Sequence, residues 1–153
     1  MVRKVCLSLL SVGSLFTSSM ALSVGGYTQS VIAHNLTGGN LKLNCKGGNT
    51  YRKKQTSINS DKSAIVMSAS LQESKSTLLG GRYTCSYSYD GNRGSISFKL
   101  KSSQSIYVWK VTEDSLEGGS FNCTSERLSN LSRPASIIRM LNNGGSHRGR
   151  RCN

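Results

Sequence analysis

Two stretches decide the fold, Leu41-Lys42-Leu43-Asn44-Cys45 and Gly81-Arg82-Tyr83-Thr84-Cys85. Each alternates with the strand period of two. Leu41, Leu43 and Cys45 therefore share one face, and Tyr83 and Cys85 share another. Two strands that each carry an inward cysteine can face one another across a core and be joined by a disulfide. The remaining sequence reads as further strands around this pair.

Working outward, Gln29 to Leu36 reads as a first strand, and Thr37-Gly38-Gly39-Asn40 as the turn of a hairpin leading into Leu41–Lys46. Tyr51 to Ile58, with three consecutive cations at Arg52, Lys53 and Lys54, suits an edge strand or a loop. Ala64 to Leu71 alternates Ile65, Met67, Ala69 and Leu71 against Ala64, Val66 and Ser68. Leu78 to Tyr89 forms the long central strand, its Tyr83, Cys85, Tyr87 and Tyr89 on one side. Asp90-Gly91-Asn92-Arg93-Gly94 signals a hairpin. Ser95 to Lys101 then sends Ile96, Phe98 and Leu100 inward, and Ile106 to Val111 follows. After an acidic loop at Glu113, Asp114 and Glu117 comes a short strand around Phe121 and Cys123. Pro134 opens a helix whose apolar face is Ile137, Ile138 and Leu141, and Asn142-Asn143-Gly144-Gly145 ends it. The expected fold is all-β: an antiparallel β-sandwich, immunoglobulin-like or related, of about seven or eight strands with one short C-terminal helix.

The beginning of the chain reads as a leader. Met1–Lys4 is basic, Val5–Phe16 is mainly apolar, and Ser19-Met20-Ala21 matches a small-x-small cleavage site, so residues 1–21 are expected to be a signal peptide. The apolar run is shorter than the roughly 20 residues a bilayer requires. The expectation is a single secreted or periplasmic domain over 22–153, monomeric and without a transmembrane segment. Cys6 leaves with the leader. Cys45, Cys85, Cys123 and Cys152 remain, an even set expected to pair as Cys45–Cys85 and Cys123–Cys152. The scattered cysteines and only two histidines argue against a metal, and no cofactor is expected.

Charge points to the partner. The leader carries two of the 20 Lys and Arg and none of the 7 acidic residues, so the mature chain has a net charge of +11. Such a field favours anionic partners (nucleic acid, sulfated glycan, lipopolysaccharide or anionic lipid), and a surface protein is the other partner class. Candidate contacts are Arg52, Lys53, Lys54, Arg148, Arg150 and Arg151, with Lys99 and Lys101 on the outward face of their strand. The tyrosine row at 83, 87 and 89 is either a stacking platform for single-stranded nucleic acid or the core face of a strand. Asn35, Asn122 and Asn130 begin glycosylation sequons.

Two resemblances add to this reading. Gly81-Arg82-Tyr83-Thr84-Cys85, with Leu43-Asn44-Cys45 before it, resembles the G-x-Y-x-C and L-x-C strands of immunoglobulin domains, which bind partners and are not usually catalytic. No Trp follows Cys45 at the family's distance, for the one Trp is Trp109. Cys45-Lys46-Gly47-Gly48-Asn49-Thr50-Tyr51 resembles the C-K-x-x-N-T-F signature of pancreatic-type ribonucleases. That resemblance implies an enzyme in which Lys46 stabilises phosphate charge and His34 and His147 exchange protons. His34 stands closer to the motif than that family's histidine does, and four cysteines are fewer than the family carries. The balance favours a non-enzymatic basic binding domain. A ribonuclease-like enzyme and a protein-docking adhesin or effector module are the alternatives.

Overall fold

The computed structural model describes residues 28–47, 55–70, 81–100, 105–127 and 133–152. The proposed leader, Arg52, Lys53, Lys54, Lys101 and the sequon at Asn130 lie outside the described residues. Nine strands and two helices occur within them, in the order β1 (Thr28–Asn35), β2 (Leu41–Gly47), β3 (Thr56–Ile58), β4 (Ser63–Ser70), β5 (Arg82–Tyr89), β6 (Asn92–Lys99), β7 (Ser105–Val111), α1 (Glu113–Glu117), β8 (Cys123–Arg127), α2 (Pro134–Asn142) and β9 (Arg150–Arg151).

The strands form two sheets, β4-β1-β7-β8-β9 and β3-β2-β5-β6. Their inner faces share one core. Val31, Ala33, Met67, Tyr107, Trp109 and Val111 from the first meet Leu41, Leu43, Tyr83, Ile96, Phe98 and Leu100 from the second. This is the sandwich-like all-β arrangement that the alternation predicts, and β2, β5 and β6 largely alternate buried with outward residues. Strand β7 is buried on both faces. Its Ile106 and Val108 point outward with Ile32, and α2 covers them with Ile137 and Leu141. The helix thus adds a third layer on the five-stranded sheet.

Several expectations are corrected. The first sheet is mixed, not antiparallel, because β1 pairs with β7 in parallel, Val31 opposite Tyr107 and Ala33 opposite Trp109. Parallel neighbours need a long crossover, and the four-stranded sheet, which lies between them in sequence, provides it. Alternation carries no information about strand direction. The β1–β2 hairpin does not form. β1 pairs with β4 and β7, and β2 with β3 and β5, so Thr37–Asn40 carries the chain from one sheet to the other.

A register shift opposite Val31 and Ile32 breaks the alternation of β4. Val66 and Met67 are therefore both buried, while Ile65 is exposed. Such a bulge places two residues against one. The acidic segment is a helix, not a loop. The Thr112 hydroxyl accepts from the Ser115 N–H and the Ser115 hydroxyl accepts from the Thr112 N–H, a reciprocal cap that starts α1. Finally, β9 turns the basic tail into an edge strand pairing with Thr124 and Ser125.

The hairpin at Asp90 forms as predicted. Asp90 (φ 42°) and Gly91 (φ 79°) both have positive φ, which suits the twist of the flanking strands. Both expected disulfides are present, Cys45–Cys85 and Cys123–Cys152. Cys45 and Cys85 are direct cross-strand partners within the four-stranded sheet, not residues facing each other from opposite sheets. The bridge staples β2 to β5 and does not join the two sheets. Among the described residues no helix is long and apolar enough to cross a membrane.

Candidate functional site: a cationic sheet face and a histidine-backed edge

The tyrosine row faces the core. Tyr83 and Tyr89 are buried, and the Tyr87 hydroxyl donates to the carbonyl of Leu116 in α1. The side chains of this row therefore serve packing, and they are not a platform for stacked bases. Burial raises the Tyr83 phenol above its ordinary value of 10.0.

The opposite residues of the same strands make the outer face of the four-stranded sheet. From β2 come Lys42, Asn44 and Lys46, from β5 Arg82, Thr84, Ser86 and Ser88, and from β6 Arg93, Ser95, Ser97 and Lys99. The register aligns them in rows: Lys42–Ser88–Arg93, Asn44–Ser86–Ser95, Lys46–Thr84–Ser97, and Arg82 beside Lys99. All five cations are exposed. None of these outward positions holds a carboxylate, and Asp90 stands beyond them in the hairpin turn. Neighbouring strands lie about 4.8 Å apart, which puts Lys42 and Arg93 roughly 10 Å apart across their row. Between the cations runs a field of small polar side chains, with Thr84 Oγ1 and Ser97 Oγ 2.9 Å apart across the strands.

The second cluster lies where β8 meets β9. His147 is only 7% exposed. The Gly149 N–H donates to His147 Nδ1 (3.3 Å), and the Thr124 hydroxyl reaches the same nitrogen at 3.0 Å. The other ring nitrogen, Nε2, lies 2.9 Å from Glu126 Oε2. The imidazole is a bridge with both nitrogens engaged. Gly149 permits this close approach, since a Cβ there would stand 3.0 Å from His147 Nδ1 and 2.9 Å from the Ser125 carbonyl. Arg148, Arg150 and Arg151 are all exposed around it.

No protein-family model matches the chain, and no curated protein matches it. Its chemistry is read from its own residues.

The ribonuclease-like set is not brought together. His34 is on β1, opposite Ser63 of β4, and its Nδ1 lies 2.8 Å from Ser63 Oγ. His147 sits against Thr124 and Glu126 of β8, two strands from β1 in sheet order. Lys46 is on the outward face of the other sheet. Burial holds the His34 imidazole below its ordinary 6.5, with Asp61 pulling the other way and Lys110 adding to the depression.

Of the candidate polyanion contacts, Lys99 belongs to the sheet face and Arg148, Arg150 and Arg151 to the edge cluster. Sequence reasoning missed Lys42, Arg82 and Arg93 as contacts and gave Lys46 a catalytic role instead. Their signal was present as the polar half of each alternating strand. It became a surface only through the register that lays three strands side by side.

Proposed function

We propose that the protein is an exported, non-catalytic binding module for an anionic polymer, and that the outer face of the four-stranded sheet is its contact surface. The observation that carries this reading is five exposed cations, Lys42, Lys46, Arg82, Arg93 and Lys99, on one face whose outward positions hold no carboxylate. A two-dimensional array of cations on a stiff sheet meets successive anionic groups of a polymer without ordering long loops.

The polar field between the cations favours a sulfated or phosphorylated glycan over nucleic acid. Ser, Thr and Asn side chains donate to and accept from sugar hydroxyls. Binding of single-stranded nucleic acid draws much of its strength from aromatic stacking, and the aromatic residues of these strands face inward.

The test is a salt series with two probes, heparin and a single-stranded RNA of matched charge. Heparin should bind more tightly, with an affinity that falls steeply as salt rises, and replacing Lys46 and Lys99 together by Gln should weaken it. Salt-insensitive binding, or affinity unchanged by that double substitution, overturns the reading. RNA cleavage lost on His147→Ala would point to the enzyme instead.

A further inference from the structure

At the β8–β9 edge the chain borders a groove of about 730 Å³, within the range of roughly 300 to 1,000 Å³ typical of small-ligand sites. Its wall is held firmly. The Cys123–Cys152 bridge ties the end of the chain to β8, and the nearly buried His147 joins Thr124, Glu126 and Gly149 behind it. Arg127, Arg148, Arg150, Glu126, Ser146 and Met140 are among the lining residues.

The mixed charge of this lining restricts what fits. A bare inorganic anion gains from three guanidinium groups but is opposed by the Glu126 carboxylate. A neutral sugar can donate hydroxyls to Glu126 and Ser146, yet it gives the guanidinium groups no anion. Guanidinium binds phosphate, sulfate and carboxylate through paired N–H donors, and a carboxylate accepts several hydrogen bonds at once. Met140 offers an apolar contact for the C–H face of a ring.

We propose that this groove binds a sugar-sized ligand carrying one anionic group, with the anion on the arginines and the neighbouring hydroxyls on Glu126 and Ser146. The site stands apart from the polymer face, since it belongs to the five-stranded sheet, and the two can succeed or fail separately. The ligand is either a free acidic monosaccharide or the end unit of an anionic glycan, and both present the same chemistry.

The experiment is titration of the oxidised protein, followed by NMR at the His147 ring and the Gly149 and Arg150 amides. The probes are glucose 6-phosphate, glucose 6-sulfate, glucuronate, inorganic phosphate and glucose, with a heparin disaccharide to represent a chain end. At least one acidic sugar should saturate these signals at a concentration tenfold or more below inorganic phosphate, and glucose should leave them unmoved. A stronger response to the disaccharide than to every monosaccharide assigns the groove to chain ends, and the reverse assigns it to free sugars. The response should vanish in Arg148→Gln/Arg150→Gln and persist in Lys46→Gln/Lys99→Gln. Inorganic phosphate matching the acidic sugars, silence from all of them, or a response that survives the arginine replacements would overturn the proposal.

Discussion

Asn35 of β1 donates from Nδ2 to the carbonyl of Ile58 in β3, at 2.8 Å, and so fastens one sheet of the sandwich to the other. The same amide donates to the Gly39 carbonyl (2.8 Å), and Oδ1 accepts from both the Thr37 N–H (3.0 Å) and the Thr37 hydroxyl (2.8 Å). All four bonds hold the segment by which the chain changes sheets. Asn35 also begins a glycosylation sequon, and its amide is fully buried.

Replacing Asn35 with Ala should therefore destabilise the fold by about 2 to 4 kcal/mol, because Thr37 N–H and two carbonyls lose their partner in a buried site. Urea unfolding would measure it as a lower midpoint with an unchanged slope. A loss below about 0.5 kcal/mol would mean that water or a neighbour takes over these bonds.

Phe121 stacks on Phe98 at 3.8 Å between ring centroids and lies 5.3 Å from the ring of Trp109. Phe121 is half-buried and Trp109 fully so. Phe121→Ala should cost about 2 to 3 kcal/mol, below the value for a fully buried ring. It should also admit water to the indole and shift the emission of the single tryptophan to longer wavelength. Unchanged emission would show that the core closes over the gap.

The two disulfides should open in a fixed order. Cys45 and Cys85 are at most 3% exposed, whereas Cys123 and Cys152 are partly exposed. Thiolate attack requires access. Graded reduction followed by alkylation and mass spectrometry should label Cys123 and Cys152 first. In the chain-entropy picture each bridge contributes about 4 kcal/mol, for sequence separations of 40 and 29 residues. Early labelling of Cys45 would reveal local opening of β2 and β5.

Each cation of the sheet face should contribute to the salt dependence of heparin binding. Single replacements Lys42→Gln, Arg82→Gln and Arg93→Gln are expected to reduce the log–log slope by up to about one each and to leave thermal stability within about 0.5 kcal/mol. Replacing the outward Ser86 by Ala should leave the slope alone. Equal effects from that serine would tie the loss to shape instead of charge.

Stability should also decline in mild acid through His34. Its folded value lies below 6.5 because burial disfavours the charged ring, so the unfolded chain takes up the proton first. The contribution is complete above about 6.5 and is lost as pH falls from there through the folded value. Urea midpoints at pH 8, 6.5 and 5 should drop less steeply in His34→Gln than in the native chain. Parallel curves would remove His34 from the titration.

Much of the secondary structure was legible because burial on one side of a strand writes itself as alternation. The inward sets Leu41–Leu43–Cys45, Tyr83–Cys85–Tyr89 and Ile96–Phe98–Leu100 were all readable, and so was the helix at Pro134. Ile65 and Met67 were placed on one face, yet Met67 is buried and Ile65 exposed, because a bulge changes the period locally and leaves no mark in composition. The helix at Glu113 was missed because five residues are too few for apolar periodicity, and its evidence was a Thr-to-Ser cap.

The sequence by itself determined the period of each strand, the inward cysteines, the Asp90–Gly91 hairpin and the excess of positive charge, since these are local or additive properties. Only the tertiary structure decided that β1 leaves β2 to join β4 and β7, and that Cys45 meets Cys85 within one sheet. It likewise decided that Lys42, Lys46, Arg82, Arg93 and Lys99 share a surface. The physical reason is common to all three. Backbone hydrogen bonding specifies that a strand must have neighbours, and side-chain burial specifies which face turns inward. Neither says which distant strand will be the neighbour, a choice settled only when the whole core packs at once.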